Sequence, residues 1–451
     1  MSELRDLARR VVERAEADEH VEVYLSRGTD TDVEVYEGEI EKLTTATSSG
    51  IGVRVLLEGD AGARVGTAWA GSLEEAAVDE ALAQARDNAR FATPDDFVTF
   101  ARPDGVGPAG LQLLSEGVRG TALARKIDLA RELERVVRAG DARIRQVERA
   151  AYSDFVVEAV LLSTTGVEAR YARSGAYLSV EAIASDPAGD QTGWGLSAGR
   201  SPEELDLMVA ARDAVERATR HLGATRPASR RMSVVLDPRT AASFLGIVGR
   251  ALSGEAVVRG RSFFAGRRGE AVASSGVTLV DDPTDARHFS ASNFDGEGLA
   301  CRRNTLIEDG VLRDFVYDTV SARRAGVAGT GGAVRAGIAG SPSAGVRALR
   351  LRPGSLTPEQ IWREVGEGLL VDSLTGVHSG VNPVSGDFSV GVTGLMIRDG
   401  ELAEAVREVT VASTLQRMLL DISHVGADLT WLPGVAAGQS LAIADLAVSG
   451  A

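Results

Sequence analysis

The stretch DFSVGVTGLMIRDGELAEAVREV, residues 387–409, decides the fold class. Two strand-like runs meet at Asp399-Gly400, and Asp-Gly between apolar runs signals a hairpin because a type I′ turn needs positive φ at both central residues. A second hairpin, TLIEDGVLRDFVYD at 305–318, turns on Asp309-Gly310. Around the two lie helices expected at 240–252, from the Thr357-Pro358-Glu359-Gln360 start, and at about 412–423. The region from 232 to 451 therefore reads as one mostly antiparallel, β-rich α+β domain.

Upstream, the chain opens with an amphipathic helix in which Leu4, Leu7, Ala8, Val11, Val12 and Ala15 recur at helical spacing. Strand-like runs follow: VEVYLSRG, TDVEVYEG, SGIGVRVLLEGD and ARVGTAWAG. Ser72-Leu-Glu-Glu75 has capping-box spacing and predicts a helix to Phe91. Residues 101–122 hold two prolines and five glycines and read as a linker or irregular connection between a unit at 1–100 and another at 123–228. That second unit repeats the order: a helix at 123–138, the strands RIRQVERAAYS, FVVEAVLLSTTG, VEARYARSG and AYLSVEAIAS, then Ser201-Pro-Glu-Glu204 before a helix ending near His221. The repetition is explained by a weak duplication or by shared turn chemistry. The expected fold is thus α+β: an N-terminal α/β part with mixed or antiparallel sheets and flanking helices, then the β-rich C-terminal domain.

Composition narrows the function. The 451 residues carry 64 acidic and 49 basic side chains, a net charge of −15, which disfavours a nucleic-acid surface because such surfaces must neutralise phosphates. Hydrophobic residues at 44% and charged residues at 25% suit a folded chain. Only Cys301 is present, so no intramolecular disulfide and no multi-cysteine metal site can form. The charged N-terminus lacks a signal-peptide core, and no run of about 18 apolar residues exists to span a membrane. A cytoplasmic location is expected.

Local motifs give little chemistry by themselves. Gly195-Leu-Ser197-Ala-Gly199 matches G-x-S-x-G with a strand before and a helix after, which leaves a self-sufficient hydrolase using Ser197 as one reading. With 51 glycines in the chain a structural turn is the expectation. Gly329-Thr-Gly-Gly332 lacks a Walker lysine. His20, His221, His288, His378 and His424 never pair at metal spacing, and no H-E-x-x-H occurs. His378 lies in the polar, glycine-dense segment GVHSGVNPVSGDFS, expected to be a tight connection ahead of a strand.

That segment and its continuation, HSGVNPVSGDFSVGVTGLMIRDGELAEAVREVTVAS, together with SGVTLVDDPTD, RRNTLIEDGVLRDFVYDTVSARRAG, TGGAVR and LLDISHVGADL, resemble the TldD/PmbA family of bacterial proteins, specifically its TldE (PmbA) branch. The resemblance is best over about 232–430. It implies a heterodimeric metalloprotease that degrades unfolded peptides and trims leader peptides, in which TldD-type subunits hold a metal by a helical H-E-x-x-x-H and a later cysteine, while TldE-type subunits lack these. The matching positions here are Leu245, Gly246 and Arg250, and Gly426-Ala-Asp428 stands near the cysteine position. A zinc site gains on the order of 10–16 kcal/mol from a full ligand set, which a leucine and a cation cannot supply. Residues 245 and 250 also lie about 140° apart on a regular helix, so Leu245, Val248 and Leu252 are free to pack inward.

The resemblance thus implies no cofactor in this chain, zinc in a TldD-like partner subunit, and an unfolded or leader peptide as substrate, with a homodimer allowed when the partner is absent. His378, Ser379, Asn382 and Asp387 are the candidates for hydrogen bonding a peptide backbone, with neighbouring glycines permitting close approach. The competing reading is a non-proteolytic modulator of DNA gyrase or of toxin–antitoxin systems, roles described for family members.

Overall fold

Alternate residues of the first long strand are aliphatic, and this lays helices along one side of it. Strand β1 (Glu19–Tyr36) buries Val21, Val23, Leu25, Val33 and Val35 on a single face, as a two-residue period requires. The computed structural model describes residues 1–187 and 189–450. In it β1 joins β2 (Glu39–Leu57), β3 (Arg64–Ala70), β4 (Ile144–Ser163), β5 (Glu168–Asp186) and β6 (Gly189–Gly199) in one antiparallel sheet of order β3-β2-β1-β4-β5-β6. Helices α1 (Ser2–Val12) and α2 (Glu75–Phe91) pack on the first three strands. After a single helical turn, α3 (Glu116–Gly120), helices α4 (Leu123–Gly140) and α5 (Leu207–Arg220) pack on the next three.

Several short runs separated in the sequence by glycine or polar residues are continuous strands. β1 pairs with β4 without a break from Glu22↔Ser163 to Val35↔Ala150, and an interruption at Gly28 or Asp154 would strand buried backbone donors and acceptors. The connection at 101–122 is laid against the protein: Asn293 accepts from the Leu111 N–H at 2.7 Å and donates to its carbonyl at 2.9 Å.

Both expected serine caps differ. α2 starts at Glu75, and the Ser72 hydroxyl instead accepts from Glu74 N at 3.1 Å. Ser201 precedes only a 3-10 turn, and α5 starts at Leu207 because the Asp206 carboxylate accepts from Met208 N and Val209 N. An ionised acceptor holds helix N–H groups more strongly than a hydroxyl does.

The strand–helix contacts of the two triplets match. A side chain on Gly66 would meet Ala85 O at 2.0 Å and Ala89 N at 2.1 Å, and one on Gly193 would meet Ala214 O at 2.1 Å and Ala218 N at 2.3 Å. In each triplet the last strand touches its helix backbone over an alanine pair four residues apart.

The C-terminal region is built on a closed barrel. β7 (Arg230–Leu236) leads into α6 (Pro238–Ala251) and the short α7 (Gly254–Val258). β8 (Leu279–Asp281), β9 (Asn304–Glu308) and β10 (Val311–Leu312) form a small sheet, followed by α8 (Thr319–Ala325) and a two-stranded ribbon of β11 (Ala333–Val334) and β12 (Ser343–Ala344). β13 (Leu349–Leu351) completes the small sheet, and α9 (Pro358–Val365) starts with the Thr357–Gln360 capping box. β14 (Gly368–Thr375), α10 (Val377–Gly380), β15 (Asp387–Arg398) and β16 (Glu401–Thr414) follow, then α11 (Leu415–Leu420), β17 (Ile422–Val425) and β18 (Leu441–Ser449).

The strands run β16-β15-β14-β7-β18, and pairing of β16 with β18 closes the ring. β7–β14 is its one parallel pair among the described residues. Both hairpin turns have the expected geometry, with φ of 46° and 83° at Asp309-Gly310 and 50° and 78° at Asp399-Gly400. The helix expected at 412–423 is only α11, because Val411 and Ala412 stay in β16 to pair with Val448 and Ala447.

Gly66→Ala and Gly193→Ala are each expected to destabilise by about 1–3 kcal/mol or more through overpacking. Gly71→Ala, which meets nothing within 4 Å, should stay within about 0.5 kcal/mol of wild type. Urea-unfolding midpoints of the three variants check this.

Candidate functional site

Helix α6 is fixed at its first turn by charge. The Asp237 carboxylate caps it, accepting from Thr240 N at 2.8 Å, and pairs with Arg217 of α5 at 2.6 Å. Arg217 also donates to the Asp372 carbonyl at 3.0 Å, while Arg220 and His221 hold the Asp372 carboxylate. Burial works against ionising Asp372, but the His221 hydrogen bond and the Arg220 charge bring it below the usual carboxylate range. α6 is thereby tied at one end to α5 and β14.

From that anchor the helix runs as regular α-helix with two distinct faces. Phe244, Leu245, Val248 and Leu252 are fully buried in the barrel-side core, whereas Ser243, Gly246 and Arg250 face outward. Leu245 and Arg250 thus point to opposite sides. The outward face floors a cleft of about 760 Å³ whose walls include Arg259 and Arg261 beyond α7, Val346 after the ribbon, Val377 of α10 and Val435. An adjoining cleft of about 360 Å³ shares Ser243, Gly246 and Val435 and reaches Trp194, Leu196 and Leu432. From Arg239 to Ala251 the helix advances about 18 Å at 1.5 Å per residue, the length of about five extended residues.

These residues do not suit a catalytic metal. Gly246 has no side chain, Leu245 is turned into the core, and Arg250 presents a cation. Among the described residues no three His, Cys, Asp or Glu side chains converge as a ligand set. Asp428 is occupied as a brace, accepting from Ser440 N at 3.0 Å and Ser440 Oγ at 2.7 Å. Burial pushes the Cys301 thiol up to about 12, so it is neutral at ordinary pH and a poor ligand.

The segment after β14 lies beside the cleft. Val377 lines the cleft, and the next residue, His378, is exposed without being part of the wall. Ser379, Asn382 and Asp387 are exposed too, but each has a task within the loop. Ser379 Oγ donates to Gly376 O, Asn382 Oδ1 accepts from Val384 N and Ser385 N, and Asp387 accepts from Ser385 Oγ at 2.6 Å. His378 makes no such contact among the described residues. Sequence reasoning passed over Trp194, Arg259, Arg261 and Val435, which come from separate segments and carry no shared local signal.

The remaining motifs are structural. Ser197 lies within β6 opposite Leu178, and its Oγ accepts from the N–H of Asp206 at 2.9 Å, so it is not on the sharp strand-to-helix turn a nucleophile elbow needs. Thr330 of the Gly329–Gly332 loop accepts from Tyr317 N and donates to Tyr317 O. No helix among the described residues is long and apolar enough to cross a membrane.

Sequence comparison matches three parts of the chain to the PmbA/TldA metallopeptidase domains: domain 1 at 21–89, the central domain at 118–222 and the C-terminal domain at 229–450. The metalloprotease PmbA of Escherichia coli O157:H7 is 26% identical over 430 residues, spanning 93% of this chain and 90% of its own. The crystal structure of TldE from Thermococcus kodakarensis superposes with a TM-score of 0.87 at 23% identity, over 99% of both chains. A Thermotoga maritima structure named for modulation of DNA gyrase, a role marked in that name as unproven, gives 0.89 at 23% identity over 99% of this chain and 100% of that one. At these identities the two structural likenesses speak for the fold.

The wall of the smaller cleft rests on a buried histidine. The His288 ring meets Trp431 edge-on at 5.9 Å, its Nδ1 accepts from Ser290 N at 3.1 Å, and Ser290 Oγ bonds Gly434 O. Burial, partly offset by Asp285, lowers the His288 pKa to about 4. A lowered value means that the stability gained from the neutral ring is present above the ordinary pKa of about 6.5 and is lost as pH falls toward 4. Relative to His288→Asn, wild type should lose on the order of 3 kcal/mol between pH 7 and pH 4; parallel stability–pH curves would contradict this.

Proposed function

The chain belongs to the PmbA/TldA metallopeptidase family, and from that premise we propose that it is a TldE-like subunit, carrying no catalytic metal, that pairs with a TldD-like metalloprotease to cleave unfolded or leader peptides. The observation that carries this reading is the outward face of α6, where Gly246 and Arg250 floor an open groove and Leu245 is buried. A groove of this length without metal ligands among the described residues can hold a chain without cleaving it. Zinc, held by the partner's own residues, would act as Lewis acid and activate water.

In this reading the chain's own residues bind and orient. Trp194, Leu196 and Leu432 offer apolar surface to side chains, and Arg250 and Arg261 offer cations to acidic side chains or to a terminal carboxylate, Arg259 being paired with Glu255 of the same wall. His378, beside Val377 and without another partner among the described residues, can exchange a hydrogen bond with a peptide backbone. Asn382 and Asp387 shape the loop that presents it. The gyrase reading has no specific surface to support it.

The test is to mix the chain with a TldD-like protein of the same genome that retains H-E-x-x-x-H, and to follow cleavage of an unfolded peptide. Each protein alone should be nearly silent and the mixture active and chelator-sensitive; cleavage unaffected by adding this chain would sink the proposal. His378→Ala should lower turnover by the pair about threefold to tenfold, the loss of one hydrogen bond, while the two proteins still co-elute in gel filtration.

A further inference from the structure

A smaller cavity, about 120 Å³, lies between the sheet face turned away from the helices and the C-terminal region. Tyr24 of β1, Tyr171 and Arg173 of β5, and Arg335 and Arg347 near the β11–β12 ribbon contribute to its lining. It is separate from the α6 groove, with which it shares no lining residue.

The charges around this cavity do not balance. Arg335 is committed: it pairs with Glu22, donates to Gly296 O at 2.9 Å and lies 5.2 Å from the centre of the Tyr24 ring. Arg170, also on the wall, pairs with Glu168 at 3.0 Å. Asp295, the one acidic residue on the wall, is committed too, because its carboxylate accepts from the backbone N–H groups of Glu297, Leu299 and Ala333. Arg347 donates to Ala333 O at 3.1 Å and feels the charges of Asp281 and Asp295, but no carboxylate oxygen lies within 4 Å of its guanidinium among the described residues. The Arg173 side chain, exposed at the mouth of the cavity, makes neither an ion pair nor a hydrogen bond among them, and its guanidinium lies 5.4 Å from the centre of the Phe155 ring.

The surrounding protein and the nearby Arg347 charge both lower the Arg173 pKa, although the side chain stays open to solvent on one side, and an arginine remains a cation at any ordinary pH. Two like charges at a half-open crevice repel each other, and an anion between them reverses the sign of that interaction. The cavity has room for several waters, enough for a group of four or five non-hydrogen atoms.

We propose that this cavity is an oxyanion-binding site in which Arg173 and Arg347 receive one phosphate or carboxylate group, with the Tyr24 hydroxyl as a further donor. The planar guanidinium fork matches either group. Phosphate would reach the site as a free ion or ester, and carboxylate as the C-terminus of a peptide lying along the sheet.

The test compares melting temperatures of the full chain in chloride, in inorganic phosphate and with a short peptide carrying a free or an amidated C-terminus, all at one ionic strength. A saturable rise of about 3 °C or more with phosphate, with the free-carboxylate peptide, or with both supports the site and identifies its occupant. The rise should fall at least tenfold in apparent affinity in Arg173→Met, a residue with no hydrogen bond to lose, and in Arg347→Met. It should persist in the control Arg9→Met/Arg212→Met. No rise with any probe, or an equal rise in Arg173→Met and wild type, overturns the proposal.

Discussion

The ion pair between Arg217 and Asp237 fixes the geometry on which the rest of the molecule depends. Asp237 is at once the cap of α6 and the carboxylate that receives a guanidinium from α5, so one residue aligns the outward face of α6 and joins the helix-backed sheet to the barrel. Asp237 is buried and Arg217 half-buried, so removing the arginine leaves the carboxylate without its cation, at a cost of up to about 3–5 kcal/mol. Arg239, in the first turn of α6, extends the network by pairing with Asp213 and lying 4.7 Å from the Trp194 ring centre. The groove wall and the inter-sheet anchor are therefore one connected structure, and Trp194 on β6 is carried to the groove by the same charges that hold α6.

What followed from local chemistry was legible in the sequence. Asp309-Gly310 and Asp399-Gly400 turn as positive φ demands, and Thr357 with Gln360 makes the reciprocal cap its spacing implies. The inward packing of Leu245, Val248 and Leu252 followed from 100° per residue alone. Ser201 misled because Asp206, a stronger acceptor nearby, caps α5, and Ser72 because its hydroxyl takes the Glu74 N–H while α2 starts without a side-chain cap. The final helix was overestimated because closing the barrel rewards extended backbone at Val411 and Ala412, a long-range gain invisible in a local window.

The groove was only partly legible. Gly246 and Arg250 were singled out as places where ligands are missing, and both line the cleft. Its walls could not be read, since residues 194–196, 259–261, 346, 377 and 432–436 meet only through the tertiary fold. Arginine in this chain is too common to mark a site: the two unpaired guanidiniums at Arg173 and Arg347 have no distinguishing neighbours in sequence. Hydrogen-bonding residues in the 376–389 loop suggested a binding segment, yet Asn382 and Asp387 act first on their own loop, as short polar side chains near turns commonly do.

In the proposed function, α6, presenting glycine and arginine where a metal site would need donors, serves as a surface for holding a substrate or a partner. The most direct measurement is elemental analysis of this chain alone and of its purified complex with a TldD-like protein, alongside protein quantitation. No stoichiometric metal in the chain alone and one metal ion per heterodimer is the expected result. Metal bound stoichiometrically by the isolated chain, or two ions per pair, would contradict the assignment of α6 as a metal-free groove.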